Sequence, residues 1–227
     1  VEPLSPVFWQ AVPPPMPDLL RSLGALPFIS HFYLAGGTAL ALQLGHRVSV
    51  DLDFFSGTDM VDAPSRRAII AGLQEFATEI IENVDGNLVF VVDGIRTGFF
   101  SYGYPLLDPP RTLAGIPIAS TLDIGLMKLD ALVGRGSRKD FYDLYFLARH
   151  IPLPVLLANT TRKFPGFRDF ALMALESMIM FDNANRDFQP TLLIQTDWDE
   201  VKAFFREQVR SIGNEWFADA PKPATDN

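Results

Sequence analysis

The 227-residue chain contains no cysteine, which excludes a disulfide framework, a thiolate metal site and a thiol nucleophile. It has no uninterrupted apolar run of about 18 residues and no segment built like a signal peptide. It therefore reads as a soluble, cytoplasmic protein without a membrane partner. Net positive charge is missing too: a formal charge of −8 argues against broad, non-specific attraction to nucleic acid. No internal repeat is present. What remains is an ordinary globular balance, 48% apolar and 20% charged, long enough for one large domain or two small ones.

The first residues, "VEPLSPVFWQAVPPPMPDLL", are proline-rich and are expected to wrap the surface before a short helix over 19–25. "HFYLAG" reads as a buried strand stopped by Gly36-Gly37, and "TALALQLG" as a helix from Thr38 to Gly45. "VSVDLDFF" is a second strand, with Val50, Leu52 and Phe54 facing the core. The segment 63–84 has the spacing of an amphipathic helix opened by Pro64 and Ser65. "NLVFVVDGIRTGFFSY" is a hairpin turning at Asp93-Gly94. After Ile118 the texture becomes helical. "ASTLDIGLMKLDALVGRG" starts with a capping signal, "SRKDFYDLYFLARHI" follows, and further helices are expected near Pro154–Arg162, Phe167–Phe181 and Trp198–Ile212. The expected organisation is α+β: an α/β domain over 1–115, a helical domain over 116–215 and a disordered tail over 216–227.

Asp51 and Asp53 stand two apart in a strand, so their side chains project the same way. Two adjacent carboxylates repel unless a cation lies between them, and a hard divalent ion suits such a pair. A solvated strand end is the plainer reading of D-x-D taken alone. Gly36-Gly37 leading into a helix adds a second feature. Backbone N–H groups there can approach an anion, and the helix start favours negative charge. Together they describe a phosphate cradle beside a metal site. From Lys128 to Arg168, eight basic residues face three acids, a local excess of +5 that is either a solvated face or an anion platform.

Gly36-Gly37-Thr38, His46-Arg47-x-Ser49 and Asp51-Leu52-Asp53-Phe54 resemble the signature of the nucleotidyltransferase superfamily, and within it the AbiEii/AbiGii toxins of type IV toxin–antitoxin and abortive-infection systems. A second motif resembles the same family: Lys128, Arg135, Lys139-Asp140-Phe141 and Asp143-Leu144. The resemblance runs from Phe32 to Leu147. It implies a nucleotidyltransferase-type small mixed sheet with flanking helices and a helical C-terminal half. It further implies an NTP whose phosphates lie on Gly36, Gly37 and Thr38, with Arg47 and Ser49 nearby and Lys128 reaching the triphosphate. Mg²⁺ or Mn²⁺ would be held by Asp51 and Asp53, and Asp140 would be a further catalytic acid. The implied acceptor is RNA, such as a tRNA end, contacted by Arg135, Arg138 and Lys139. The implied partner is a cognate antitoxin.

Relatives of this kind usually take a third carboxylate from a later strand. "GIRTGFFSYGY" contains none, and Asp140 is expected to substitute from the helical half. His46 reads as structural, Asp143 as a lock on one of the basic residues of its own helix, and Tyr142 and Tyr145 as core. Two other functions stay open: nucleotide transfer to a small molecule or a protein hydroxyl, and a catalytically weak NTP- or partner-binding module.

Overall fold

The computed structural model describes residues 2–216 and 218. A seven-stranded mixed sheet forms its centre, made of β1 (Tyr33–Leu34), β2 (Leu52–Ser56), β3 (Thr78–Val84), β4 (Asn87–Val92), β5 (Ile95–Ser101), β6 (Arg111–Leu113) and β7 (Ile116–Ile118), in the order β3-β4-β5-β2-β1-β7-β6. Two pairings are parallel, β2 with β5 and β1 with β7. Helices α1 (Met16–Gly24), α2 (Gly36–Leu44) and α3 (Ala63–Gly72) accompany the first strands. After β7 come α4 (Thr121–Gly134), α5 (Arg138–Leu147), α6 (Leu153–Ala158), α7 (Thr160–Lys163), α8 (Phe170–Ser177), α9 (Asp182–Arg186) and α10 (Trp198–Trp216). Among the described residues no helix is long and apolar enough to cross a membrane.

Local chemistry accounts for several boundaries. Asp93 and Gly94 both take positive φ, 46° and 82°, the conformation of a two-residue turn whose twist matches its strands. The Ser120 hydroxyl accepts the Asp123 N–H at 3.0 Å and caps α4. Gly45, at φ 64°, stops α2 with its N–H on the Ala41 carbonyl. Phe99 on β5 organises the core, its ring lying 5.1–5.6 Å from those of Phe54, Phe32 and Phe28. Each such aromatic pair adds about 0.5–1.5 kcal/mol beyond area burial.

The fold corrects two expectations and adds an element. The segment 63–84 is not one helix: α3 ends at Gly72, and Thr78–Val84 is the edge strand β3. All seven β3 residues are exposed, so no apolar alternation marks it, and its pairing to β4 creates it. Val50 does not face the core but is 57% exposed, because the strand begins at Leu52. The β6–β7 hairpin was not expected. It turns at Ala114-Gly115, where the sequence suggested a domain boundary, and β7 extends the central sheet through β1. The tail expected over 216–227 begins within α10 at Trp216 and otherwise, Ala218 apart, lies outside the described residues.

Candidate active site

A cavity of about 660 Å³ opens between the sheet and the α4–α5 pair. Its lining includes Gly36, Gly37, Asp51, Asp53, Lys128 and Arg135. On β2 burial alternates, with Leu52, Phe54 and Ser56 inward and Asp53 and Phe55 toward the cavity. Asp51, just before the strand, lines the same space. Burial raises the Asp53 carboxyl, as does the neighbouring Asp51 charge, while Arg96 at 3.4 Å opposes them.

The glycines are needed for close approach. Gly36 takes φ 66°, and a Cβ there would stand 3.0 Å from Asp53 Oδ2. A Cβ on Gly37 would stand 2.3 Å from Arg47 Nη2 and 3.2 Å from Ser49 Oγ. Gly37 thus makes room for a guanidinium as well as for any ligand. Thr38 and Ser49 are buried; the Thr38 hydroxyl lies 2.9 Å from Ser49 Oγ and also donates to the Asp51 carbonyl. Its side chain pegs the loop that carries Asp51 instead of facing the cavity.

Behind the cavity lies a buried ionic network. Arg47 grips Asp143 with two bonds, Nε to Oδ1 at 2.6 Å and Nη2 to Oδ2 at 3.0 Å. Lys128 Nζ lies 2.9 Å from Asp140 Oδ1 and 2.6 Å from Asp143 Oδ2. Arg135 holds Asp140 with Nε and Nη2 at 2.9 and 3.0 Å. His46 Nε2 lies 2.8 Å from Asp143 Oδ1, and its buried Nδ1 has no partner among the described residues. Burial alone would push both carboxyls up, but their cations outweigh it and hold Asp140 and Asp143 below the usual range. Burial would likewise lower Lys128, yet the Asp143 and Asp140 charges keep it above its usual value. Burial lowers His46.

This geometry sorts the candidate residues. Gly36, Gly37, Arg47, Ser49, Asp51, Asp53, Lys128, Arg135 and Lys139 come together around one cavity. Asp140 is fully buried behind Lys128 and Arg135 and does not line it. Arg138 turns away, with Nε and Nη2 on the carbonyls of Ala184 and Asn185. Asp143 locks no basic residue of its own helix; it holds Arg47, Lys128 and His46. The basic excess from Lys128 to Arg168 is no single exposed face, since Lys128 and Lys163 are buried in ion pairs. Tyr142 is core, and the Tyr145 hydroxyl is taken by Glu200. Sequence reasoning missed Arg96, the aromatic wall of Phe55, Phe100 and Tyr102, and Asp130. Phe55 and Phe100 carried a usable signal, because each keeps strand alternation with a cavity residue. It also missed what holds the Arg47 loop: the Ser49 N–H bonds to Ala11 and the Val48 N–H to Thr191, segments far apart in the chain.

The chain is similar to several known proteins. A protein of Aquifex aeolicus is 37% identical over 198 residues, 85% of this chain and 93% of its own length. MenT4, a nucleotidyltransferase toxin of Mycobacterium tuberculosis H37Rv, shares the fold at 17% identity with a TM-score of 0.50, covering 91% of this chain and 85% of its own. JHP933 of Helicobacter pylori aligns at 18% identity with a TM-score of 0.48 over 90% of this chain and 91% of its own. The family "Nucleotidyl transferase AbiEii toxin, Type IV TA system" matches residues 18–105 and 101–220, extending past both ends of the two motifs. The chain belongs to the AbiEii nucleotidyltransferase toxin family and is an enzyme of the nucleotidyltransferase class.

Proposed function

We infer that this protein transfers a nucleotide from an NTP to an RNA acceptor, with tRNA as the first candidate, in a Mg²⁺-dependent reaction that releases pyrophosphate. One observation carries the reading: Asp51 and Asp53, the glycine-led start of α2, and the cations Arg47 and Lys128 share one cavity. The N–H groups at the α2 start and the Lys128 amine suit a triphosphate, whose charge they offset. Lys128 and Arg47 come preset by Asp140 and Asp143, so little reorganisation is needed when the anion arrives.

Asp51 and Asp53 fit a hard divalent ion: both line the cavity, and the Asp51 charge raises the Asp53 carboxyl, a repulsion that a cation would relieve. Bound there, the ion would neutralise charge growing on the leaving pyrophosphate. Arg135, Lys139 and Arg96 at the cavity edge offer contacts to an RNA backbone, and Phe55, Phe100 and Tyr102 offer rings on which a base can stack. The resemblance to a toxin family makes a cognate antitoxin the expected protein partner, and the cytoplasm the place of action.

A weaker reading, an NTP-binding module with little turnover, draws on Gly98, which lies opposite Asp53 where a third carboxylate would be expected. Labelled NTPs incubated with separated RNA, protein and metabolite pools decide between them. Label in RNA supports the proposal. Label only in protein or metabolites changes the acceptor, and retained Mg-NTP binding without transfer favours the module.

A further inference from the structure

The sheet places a glycine, not an acid, beside Asp53. β2 and β5 pair in parallel with Asp53 opposite Gly98, and the Phe100 ring folds back over Gly98, so a Cβ there would stand 2.3 Å from it. The neighbouring cavity residue on β5 is Arg96, a cation. Among the described residues no three acidic or histidine side chains converge to hold a metal ion. The cavity nevertheless holds a third carboxylate, outside the sheet.

Asp130 is such a carboxylate. It lies on α4 two residues after Lys128, half-buried, in the lining of the cavity that holds Asp51 and Asp53. Asp140 and Asp143 are saturated by cations; Asp130 instead accepts one neutral bond, from the Tyr102 hydroxyl to Oδ2 at 3.2 Å. Burial raises its carboxyl, which makes it a better proton acceptor than an exposed aspartate. The Tyr102 bond works the other way and keeps the ionised form available. Tyr102 is itself fixed, with Phe55 and Tyr104 packed edge-on at 5.6 and 5.2 Å. Lys163 Nζ lies 5.6 Å from its ring, and that buried lysine is tied to Asp123 at 2.8 Å and to the Pro105 carbonyl at 2.7 Å. A second buried ion pair thus supports the residue that orients Asp130.

We propose that Asp130, oriented by Tyr102, binds the acceptor hydroxyl and takes its proton during nucleotide transfer. The proposal rests on the nucleotidyl-transfer reading and adds the proton acceptor that the strand lacks. The acceptor O–H bond breaks and its proton passes to an Asp130 oxygen. The electron pair left on the acceptor oxygen forms the new bond to the α-phosphorus. The bond from that phosphorus to the bridging oxygen breaks, and its pair leaves with pyrophosphate. The proton then passes from Asp130 to solvent.

The test compares wild type, Asp53→Asn, Asp130→Asn, Asp130→Ala and Tyr102→Phe, using the four α-phosphate-labelled NTPs, Mg²⁺ and total RNA, protein and metabolite pools. Asp130→Asn is expected to lower turnover by about 100-fold or more, the usual contribution of a positioned base. Its affinity for a non-hydrolysable NTP, measured by calorimetry, stays near that of wild type. Added formate or azide is expected to restore part of the Asp130→Ala activity, a rescue that a purely structural aspartate would not show. Tyr102→Phe keeps the carboxylate and is expected to lose far less. Near-wild-type turnover in Asp130→Asn beside an inactive Asp53→Asn overturns the proposal and leaves the nucleotidyl-transfer reading standing. So does a loss that follows NTP affinity and cannot be rescued. A wild-type protein that labels no pool overturns the transfer reading itself, and the proposal with it.

Discussion

Arg47 and Asp143, separated by 96 residues in the chain, form a two-bond ion pair in which the Asp143 side chain is wholly buried and that of Arg47 only 5% exposed. The pair fastens the loop before β2 to α5, and so fixes where Asp51 and Asp53 stand relative to Lys128. Removing one partner of such a buried pair leaves an uncompensated charge and costs about 3–5 kcal/mol. Asp143→Asn should lower the urea midpoint accordingly, and transfer should fall along with folded protein. An unchanged midpoint would show that the network is dispensable.

Asp53→Asn should abolish transfer with the fold intact. The substitution removes a carboxyl that is already raised by burial and by Asp51, so stability should hold or rise slightly. Turnover and thermal melting measured together check both halves, and wild-type turnover would end the metal-ligand assignment.

Gly36→Ala should cost about 1–2 kcal/mol, because φ 66° is left-handed and a Cβ crowds Asp53 Oδ2. Gly37→Val acts differently, by displacing the Arg47 guanidinium, and should weaken NTP binding. Calorimetry with a non-hydrolysable NTP reads the second effect and denaturation the first. Full affinity in a folded Gly37→Val protein would make the glycine pair a mere turn.

Acid should destabilise the protein in two stages. His46 is held below its usual value, so the unfolded chain takes up a proton first and stability starts to fall below about pH 6.5. Asp140 and Asp143 are also held low, so their contribution is complete above about pH 4 and is lost as pH falls toward their folded values. Each such group adds a slope of up to about 1.4 kcal/mol per pH unit. His46→Gln should flatten the first stage alone in denaturation curves taken across pH.

Arg138→Ala should destabilise the contact between α5 and α9 without altering RNA affinity, since its guanidinium is committed to the Ala184 and Asn185 carbonyls. Arg135→Ala and Lys139→Ala, at the cavity, should weaken RNA binding. Filter binding with total RNA separates the three. A strong Arg138→Ala effect on RNA with unchanged stability would reverse the assignment.

Interactions that span only a few residues are legible in the amino-acid sequence alone. The Asp93-Gly94 turn, the Ser120–Asp123 cap and the Gly45 stop each follow from local backbone geometry. Two motifs in order were enough to indicate the family. Tertiary structure decided the rest. β3 is a strand only because β4 lies beside it; its own residues, all exposed, favour no face. Asp140 reads in the sequence as a catalytic acid and Asp143 as a lock within its own helix, yet both are held by cations brought from α4, from Arg135 just after it and from the loop after α2. Asp130 went unnoticed because its partner, Tyr102, is 28 residues away on the far side of a hairpin and a helix start. Whether a carboxylate is clamped or free depends on which charges packing brings within about 4 Å, and that distance is set by how α4 and α5 dock on the sheet.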